Sequence, residues 1–261
     1  MKFLCSYATD KGISKEVNQD SLCIKEARNQ EYGTFLMAAV CDGMGGFSAG
    51  EIASGTVIRA LSDWFETRLP SLILSNENFM EQVEKEWNDL AVEYSHRTID
   101  YGLKNNFKLG TTATVILFSE KYNGIIMQIG DSRAYHISYD NIEVMTWDQS
   151  RVGELVRAGQ LTEEEANQHH QRNILTQCIG GSRIDVKPEF YYFNIEYESN
   201  YMLCSDGFRR VISKEEIYTH LNPSNNLTED SMNSNLNILL KLNMDRKETD
   251  NITALMVKVI E

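Results

Sequence analysis

The sequence predicts an α+β fold in which antiparallel sheets pack against helices. Strand-like and helix-like runs are grouped along the chain rather than strictly alternating, which argues against a Rossmann-type parallel sheet. The run 34–41 is almost entirely apolar, the pattern of a strand buried on both faces. An Asn123-Gly124 pair between two β-type runs marks a hairpin, the connection that antiparallel strands use.

Short β-type runs come first, at 3–8, 21–25 and 34–41, and two long helices follow. Over 51–69, Ile52, Ala53, Val57, Ala60, Leu61, Trp64, Phe65 and Leu69 recur at helical spacing. Over 79–101, Phe79, Val83, Trp87, Leu90, Ala91 and Tyr94 do the same, so each helix has one face to bury. Strands return at 112–118, 124–129, 134–137 and 143–145 and read as an antiparallel meander. Residues 147–183 are polar and helical in pattern, an insertion on the sheet scaffold in which Thr162 and Glu165 form a capping box. Strands resume at 189–195 and 201–205, Ser213 and Glu216 cap a helix that runs to Leu221, and Met232, Leu236, Leu239 and Leu240 mark another. The run 252–260 closes the chain as a strand. No repeat, linker or low-complexity tract divides it, so residues 1–261 are expected to form a single domain.

With 42% apolar and 10% aromatic residues and three prolines, the chain can bury a substantial core and lacks the composition of disorder. Its 25 basic and 38 acidic side chains leave a net charge of −13. Binding to nucleic-acid or anionic-membrane phosphates depends on Lys and Arg displacing counterions, so neither is an expected partner. Cys5, Cys23, Cys41, Cys178 and Cys204 are odd in number and contain no CxxC pair, which suits reduced thiols and a cytoplasmic protein. The opening Met1-Lys2-Phe3-Leu4-Cys5 meets polar Thr9-Asp10-Lys11-Gly12 before a signal-type apolar region can form. No run approaches the ~20 apolar residues of a membrane helix.

The functional signal is the placement of five acids. Asp42, Asp131 and Asp206 each end an apolar strand-like run and precede Gly or Ser, while Asp20 and Asp250 stand just before such a run. Any one of them alone is an ordinary turn residue. Five at strand ends form an oxygen-only set suited to hard divalent cations, Mg²⁺ or Mn²⁺. Zinc would call for His or Cys at ligand spacing, which the adjacent His169-His170 pair lacks. The segment Asp42-Gly43-Met44-Gly45-Gly46-Phe47-Ser48 has Ser48 where GxGxxG needs glycine, and no Gly-Lys-Ser/Thr follows, so a nucleotide loop is excluded. Its glycines instead let backbone approach a bound ion closely. A GxSxG hydrolase elbow is absent too.

Six segments occur in order: Lys15-Glu16-Val17-Asn18-Gln19-Asp20-Ser21, Asp42-Gly43-Met44-Gly45-Gly46 with Gly50-Glu51, Leu109-Gly110-Thr111-Thr112, Ile129-Gly130-Asp131-Ser132-Arg133-Ala134-Tyr135, Cys204-Ser205-Asp206-Gly207 and Asp250-Asn251-Ile252-Thr253. Together they resemble the successive motifs of the metal-dependent protein Ser/Thr phosphatases of type 2C, the PPM family, with the Asp-Gly-Met-Gly-Gly wording most similar to the bacterial branch. The resemblance covers nearly the whole chain. It implies a central β-sandwich of two antiparallel sheets, helices on both outer faces, and a two-metal centre at one end. It further implies that Asp42 bridges two Mg²⁺ or Mn²⁺ ions, that the Gly43 carbonyl binds one, and that Asp206 and Asp250 hold the other. Asp20 would support the first site, and Asp131 with Asp206 a third ion. The implied reaction is hydrolysis of phosphoserine or phosphothreonine by a metal-activated water attacking in line, with no covalent enzyme intermediate. Phosphorylated proteins, the substrates of a partner Ser/Thr kinase, are the implied partners, and a monomer is the expected state. Residues 147–183 take the place of a flap beside the active site.

Three positions depart from the family pattern. Lys15 stands where a phosphate-binding Arg is usual, a point charge in place of a bidentate fork. Gln19 replaces a frequent Glu and removes one formal charge near the first metal. Met44 stands where animal members carry a general-acid His, as in the bacterial branch, which leaves protonation of the leaving group to water. The catalytic set is therefore Asp42, Asp206 and Lys15. All five acids are intact, which favours an enzyme over a catalytically silent phosphoprotein-binding module, the alternative raised by Lys15. Hydrolysis of a small phosphorylated metabolite is the third reading. Arg133 and Arg172 read as structural partners of the acidic surface.

Overall fold

The computed structural model of the chain describes residues 1–45, 49–75, 78–181 and 185–261. Gly46, Phe47 and Ser48 of the Gly-rich segment and Arg183 at the end of the insertion lie outside the described residues. The strands are β1 (Lys2–Asp10), β2 (Asp20–Asn29), β3 (Gly33–Gly45), β4 (Leu109–Thr111), β5 (Ala113–Ser119), β6 (Asn123–Ile129), β7 (Arg133–Ile137), β8 (Ile142–Val144), β9 (Ile179–Gly180), β10 (Glu189–Phe193), β11 (Asn200–Cys204) and β12 (Ile252–Ile260). The helices are α1 (Gly50–Thr67), α2 (Leu69–Ser75), α3 (Phe79–Asn105), α4 (Arg151–Arg157), α5 (Glu163–Gln168), α6 (Asp206–Arg209), α7 (Lys214–Leu221) and α8 (Glu229–Asp245).

The strands pair antiparallel in two sheets. One has the order β1-β12-β11-β7-β8. The other runs β2-β3-β5-β6-β10, with β4 extending β5 along the end of β3 and carrying β9. Alternation along β3 explains why 34–41 reads as continuously apolar. Leu36, Ala38 and Val40 face the other sheet and meet Leu203, Leu255 and Val257, while Phe35, Met37, Ala39 and Cys41 face α1 and α3. On the far side, Met202, Cys204, Ala254 and Met256 pack under α7 and α8 through Ile217, Leu221, Leu236 and Leu239. The result is four layers, helices outside and a sandwich within.

Two expectations change. The helix read over 51–69 ends at Thr67, and Leu69 begins the separate α2 with Pro70 in its first turn, where a residue needs no N–H partner. The expected meander is split, with β5 and β6 a hairpin in one sheet and β7 and β8 paired in the other. Gly130, at φ +98 and with no room for a Cβ against Thr112 Cγ2 at 2.5 Å, makes the crossing. Capping boxes at Thr162 and Ser213 form as expected. None of the five cysteines is in a disulfide, and Cys41 and Cys204 are buried. No described helix is long and apolar enough to cross a membrane.

Candidate metal centre and catalytic site

Antiparallel connectivity decides where the acids go. β2 and β12 start, and β3, β6 and β11 finish, at one end of the sandwich, so residues bordering those termini converge there. Asp20 opens β2 and sits directly opposite Asp42 of β3, placing both side chains on one face. Asp131 follows β6, Asp206 opens α6 after β11, and Asp250 precedes β12. All five predicted acids thus reach one neighbourhood.

The motif residues around them hold backbone in place. Thr112 N–H donates to the Asp42 carbonyl at 2.9 Å, Thr112 Oγ1 accepts from Asp42 N–H at 2.9 Å, and the Thr111 hydroxyl donates to the same carbonyl at 3.0 Å. Asn251 ties the 11–19 loop to the start of β12: its amide donates to the Lys11 and Val17 carbonyls at 3.0 and 3.1 Å, and its Oδ1 accepts from Gln19 N–H at 3.0 Å. Gly43 N–H donates to the Gln19 carbonyl at 3.1 Å, and a Cβ on Gly43 would lie 2.3 Å from the Gly50 carbonyl oxygen. Only glycine permits that crossing of backbones.

Electrostatically the cluster is strained. Burial pushes the Asp42 carboxyl well above its ordinary value, and the charges of Asp20, Asp206, Asp131 and Asp250 add to the rise. Burial likewise lifts Asp20 to about 7, against hydrogen bonds from Thr253 and Ser205. Asp131 rises to about 7 through burial and the charges of Asp206 and Asp148. Asp206 is raised by burial despite the nearby Arg210 and Arg209. Asp250 alone is lowered, because the Lys15 ammonium, the Asn251 N–H and Arg210 outweigh its burial.

Two of the buried carboxylate oxygens have no donor among the described residues. Asp20 Oδ2 accepts from the Ser205 hydroxyl at 2.9 Å, yet Oδ1 is buried with no donor among the described residues. Asp206 Oδ2 is held by Arg210, and again its Oδ1 is buried without a partner. Orphaned, buried carboxylate oxygens are costly unless a cation completes them. Among the described residues no three Asp, Glu, His or Cys side chains close into a ready-made cage.

Lys15 reaches the centre, but its ammonium lies 3.0 Å from Asp250 Oδ1 with its side chain 41% exposed. Gln19 Nε2 lies 3.5 Å from Glu51 Oε2. Arg133 pairs with the acidic surrounds as read from the sequence: Nε donates to Asp148 Oδ1 at 2.7 Å, Nη2 to Oδ2 at 3.0 Å, and Nη1 to Glu163 at 3.0 Å. Sequence reasoning missed Asp148, Arg209, Arg210 and Glu248. Arg209 Nη2 donates both to the Asp131 carbonyl at 2.8 Å and to Asp148 Oδ2 at 2.9 Å, tying the 147–183 segment to the acid cluster. The guanidinium groups of Arg209 and Arg133 overcome burial and keep Asp148 below the usual carboxylate range. A cavity of about 130 Å³ opens beside Asp131 and Asp206, walled by Trp147, Val152, Val156, Ala166 and Arg172 of that segment. Two successive arginines after an Asp-Gly in an acidic chain were the available signal.

A family model described as protein phosphatase 2C matches residues 11–241. The chain belongs to the protein phosphatase 2C family. Members of this family are metal-dependent. A protein phosphatase 2C-type protein of Streptococcus pyogenes is 35% identical over 254 residues, covering 97% of this chain and 96% of the relative. Among solved members, the serine/threonine phosphatase Stp1 from Staphylococcus aureus superposes with a TM-score of 0.83 at 30% identity, covering 100% of this chain and 96% of that one. The catalytic domain of the serine/threonine protein phosphatase PstP, solved in complex with two manganese ions, superposes with a TM-score of 0.76 at 25% identity, with both chains fully covered. The four-layer sandwich described above is therefore that of a protein phosphatase 2C fold.

Proposed function

We propose that this chain is a protein serine/threonine phosphatase, hydrolysing phosphoserine and phosphothreonine by direct attack of water at a centre of Mg²⁺ or Mn²⁺ ions. The observation that supports it most is the convergence of five acids at one end of the sandwich, with Asp20 Oδ1 and Asp206 Oδ1 buried and without a donor among the described residues. Asp42, the Gly43 carbonyl and Asp20 would hold one ion, and Asp42, Asp206 and Asp250 a second; Asp131 with Asp206 offers a third position. When bound, such ions supply an acidified water and offset the charge of the phosphoryl oxygens.

The chain's own residues do the rest. Thr111 and Thr112 fix the backbone of Asp42 and so the point from which its carboxylate projects. Lys15, paired with Asp250 and 41% exposed, stands at the mouth, where its ammonium can swing to a phosphoryl oxygen. Residues 147–181 would serve as a flap beside the centre, anchored by Asp148 between Arg133 and Arg209. The substrates are cytoplasmic phosphoproteins made by a Ser/Thr kinase, and the protein acts as a monomer.

The test is phosphate release from a phosphothreonine peptide in Mn²⁺. Turnover abolished by EDTA and by Asp206→Asn is the expected result. Phosphopeptide binding without turnover across Mg²⁺ and Mn²⁺ would replace the proposal with a silent binding module. Turnover confined to small phosphorylated metabolites would replace the substrate class.

A further inference from the structure

We propose that Arg210 is a positioning residue which, braced on Glu248, holds the carboxylates of Asp206 and Asp250 in the arrangement a divalent ion requires. The inference rests on the reading of those two aspartates as metal ligands. One arm of the Arg210 fork is on Asp206 Oδ2. The other, Nη1, donates to Glu248 Oε1 at 3.0 Å and lies 3.7 Å from Asp250 Oδ2. A single guanidinium therefore touches both aspartates and one further acid.

Glu248 is what makes this a brace. Its side chain is only 2% exposed, so its charge needs partners. Its Oε1 accepts not only from Arg210 but from the backbone N–H groups of Thr249 at 2.7 Å and Asp250 at 2.9 Å. The oxygen that anchors Arg210 thus also fixes the backbone from which Asp250 projects. At the other arm, engaging Asp206 Oδ2 leaves Oδ1 buried without a donor among the described residues. Arg210 in this way selects which oxygen of Asp206 is free for an ion. Groups that orient ligating carboxylates from behind carry much of a site's affinity, typically 10–100-fold.

A positive charge behind the ligands also opposes a cation, so two effects compete. Around the centre the five aspartates outnumber the three cations Lys15, Arg209 and Arg210. Orientation is the larger effect. It depends on the planar fork, which spans two carboxylates at once; a lysine supplies the same charge at one point only.

The experiment titrates Mn²⁺ by calorimetry into the metal-stripped full-length protein, its Arg210→Lys and Arg210→Gln variants, and an Asp206→Asn control. Both Arg210 variants are expected to bind Mn²⁺ roughly 10–100-fold more weakly, with far-UV circular dichroism unchanged for Arg210→Lys. Arg210→Lys retains a counter-charge for buried Glu248 and decides the matter if Arg210→Gln does not fold. Wild-type affinity in Arg210→Lys, or tighter binding in Arg210→Gln, would overturn the brace and leave Arg210 as charge alone. Undiminished binding by Asp206→Asn would instead overturn the metal reading beneath it.

Discussion

Replacing Asp20 with Asn should stabilise the metal-free protein at pH 8 while weakening its response to Mn²⁺. Without metal, burial together with the charges of Asp206 and Asp250 lifts the Asp20 carboxyl from 3.8 to about 7, over the opposing bonds from Thr253 and Ser205. At about 1.4 kcal/mol per pH unit, ionised Asp20 costs the fold at most about 4 kcal/mol. Relaxation and water entry leave about 2 kcal/mol of that. An amide of the same shape keeps an oxygen for the Ser205 hydroxyl and removes the charge. Between about pH 4 and pH 7 the folded protein holds a proton on Asp20 that the unfolded chain has lost, so metal-free stability falls as pH rises through this window. The cost is fully present above the folded value and absent below the unfolded one. Asp20→Asn should therefore melt roughly 4–8 °C above wild type at pH 8 in EDTA, at about 2–4 °C per kcal/mol, with the difference smaller at pH 5 and vanishing only below about pH 4. Saturating Mn²⁺ should raise the wild-type melting temperature and move the variant's far less. A variant less stable than wild type at pH 8, or one whose difference is the same at both pH values, would refute the reasoning.

Other perturbations reach separate parts of the site. Asp148→Ala removes the carboxylate shared by the Arg133 and Arg209 guanidiniums and leaves them only Glu163 and the Asp131 carbonyl, and a loss of about 3 kcal/mol should appear as a lower denaturation midpoint; an unchanged midpoint would show that the network does not support the fold. Lys15→Arg should lower KM for a phosphopeptide severalfold with kcat nearly constant, because a fork replaces a point charge; identical kinetics would remove Lys15 from the phosphate contact. Gly43→Ala puts a Cβ 2.3 Å from the Gly50 carbonyl, forcing the ends of β3 and α1 apart, and a shift of about 1 Å at Asp42 should cost about 100-fold in kcat/KM. Normal turnover in that variant would contradict the close approach as a requirement.

Much of the fold was legible because burial leaves a period in the sequence. The run 34–41 announced a doubly covered strand, and β3 indeed alternates between the inter-sheet core and the α1–α3 core. The partition of strands between sheets was not legible, since β6 and β7 carry similar apolar patterns and differ only in the crossing at Gly130. The five acids were readable by their position at strand ends, which antiparallel order then gathers. Arg209, Arg210, Asp148 and Glu248 were not, because their meaning lies in contacts across 38 to 61 residues of sequence that no local period encodes. Lys15 shows the remaining gap: residue type suggested a phosphate contact, while its resting partner, Asp250, follows from three-dimensional placement.

An anomalous difference map from crystals soaked in Mn²⁺ tests most directly whether the acidic end is a metal centre. At least two manganese peaks are expected among Asp20, Asp42, Asp206 and Asp250, one of them beside Asp206 Oδ1, with any third beside Asp131. Saturating Mn²⁺ that leaves no peak among these carboxylates, with Lys15 and Arg210 still on Asp250 and Asp206, would contradict it.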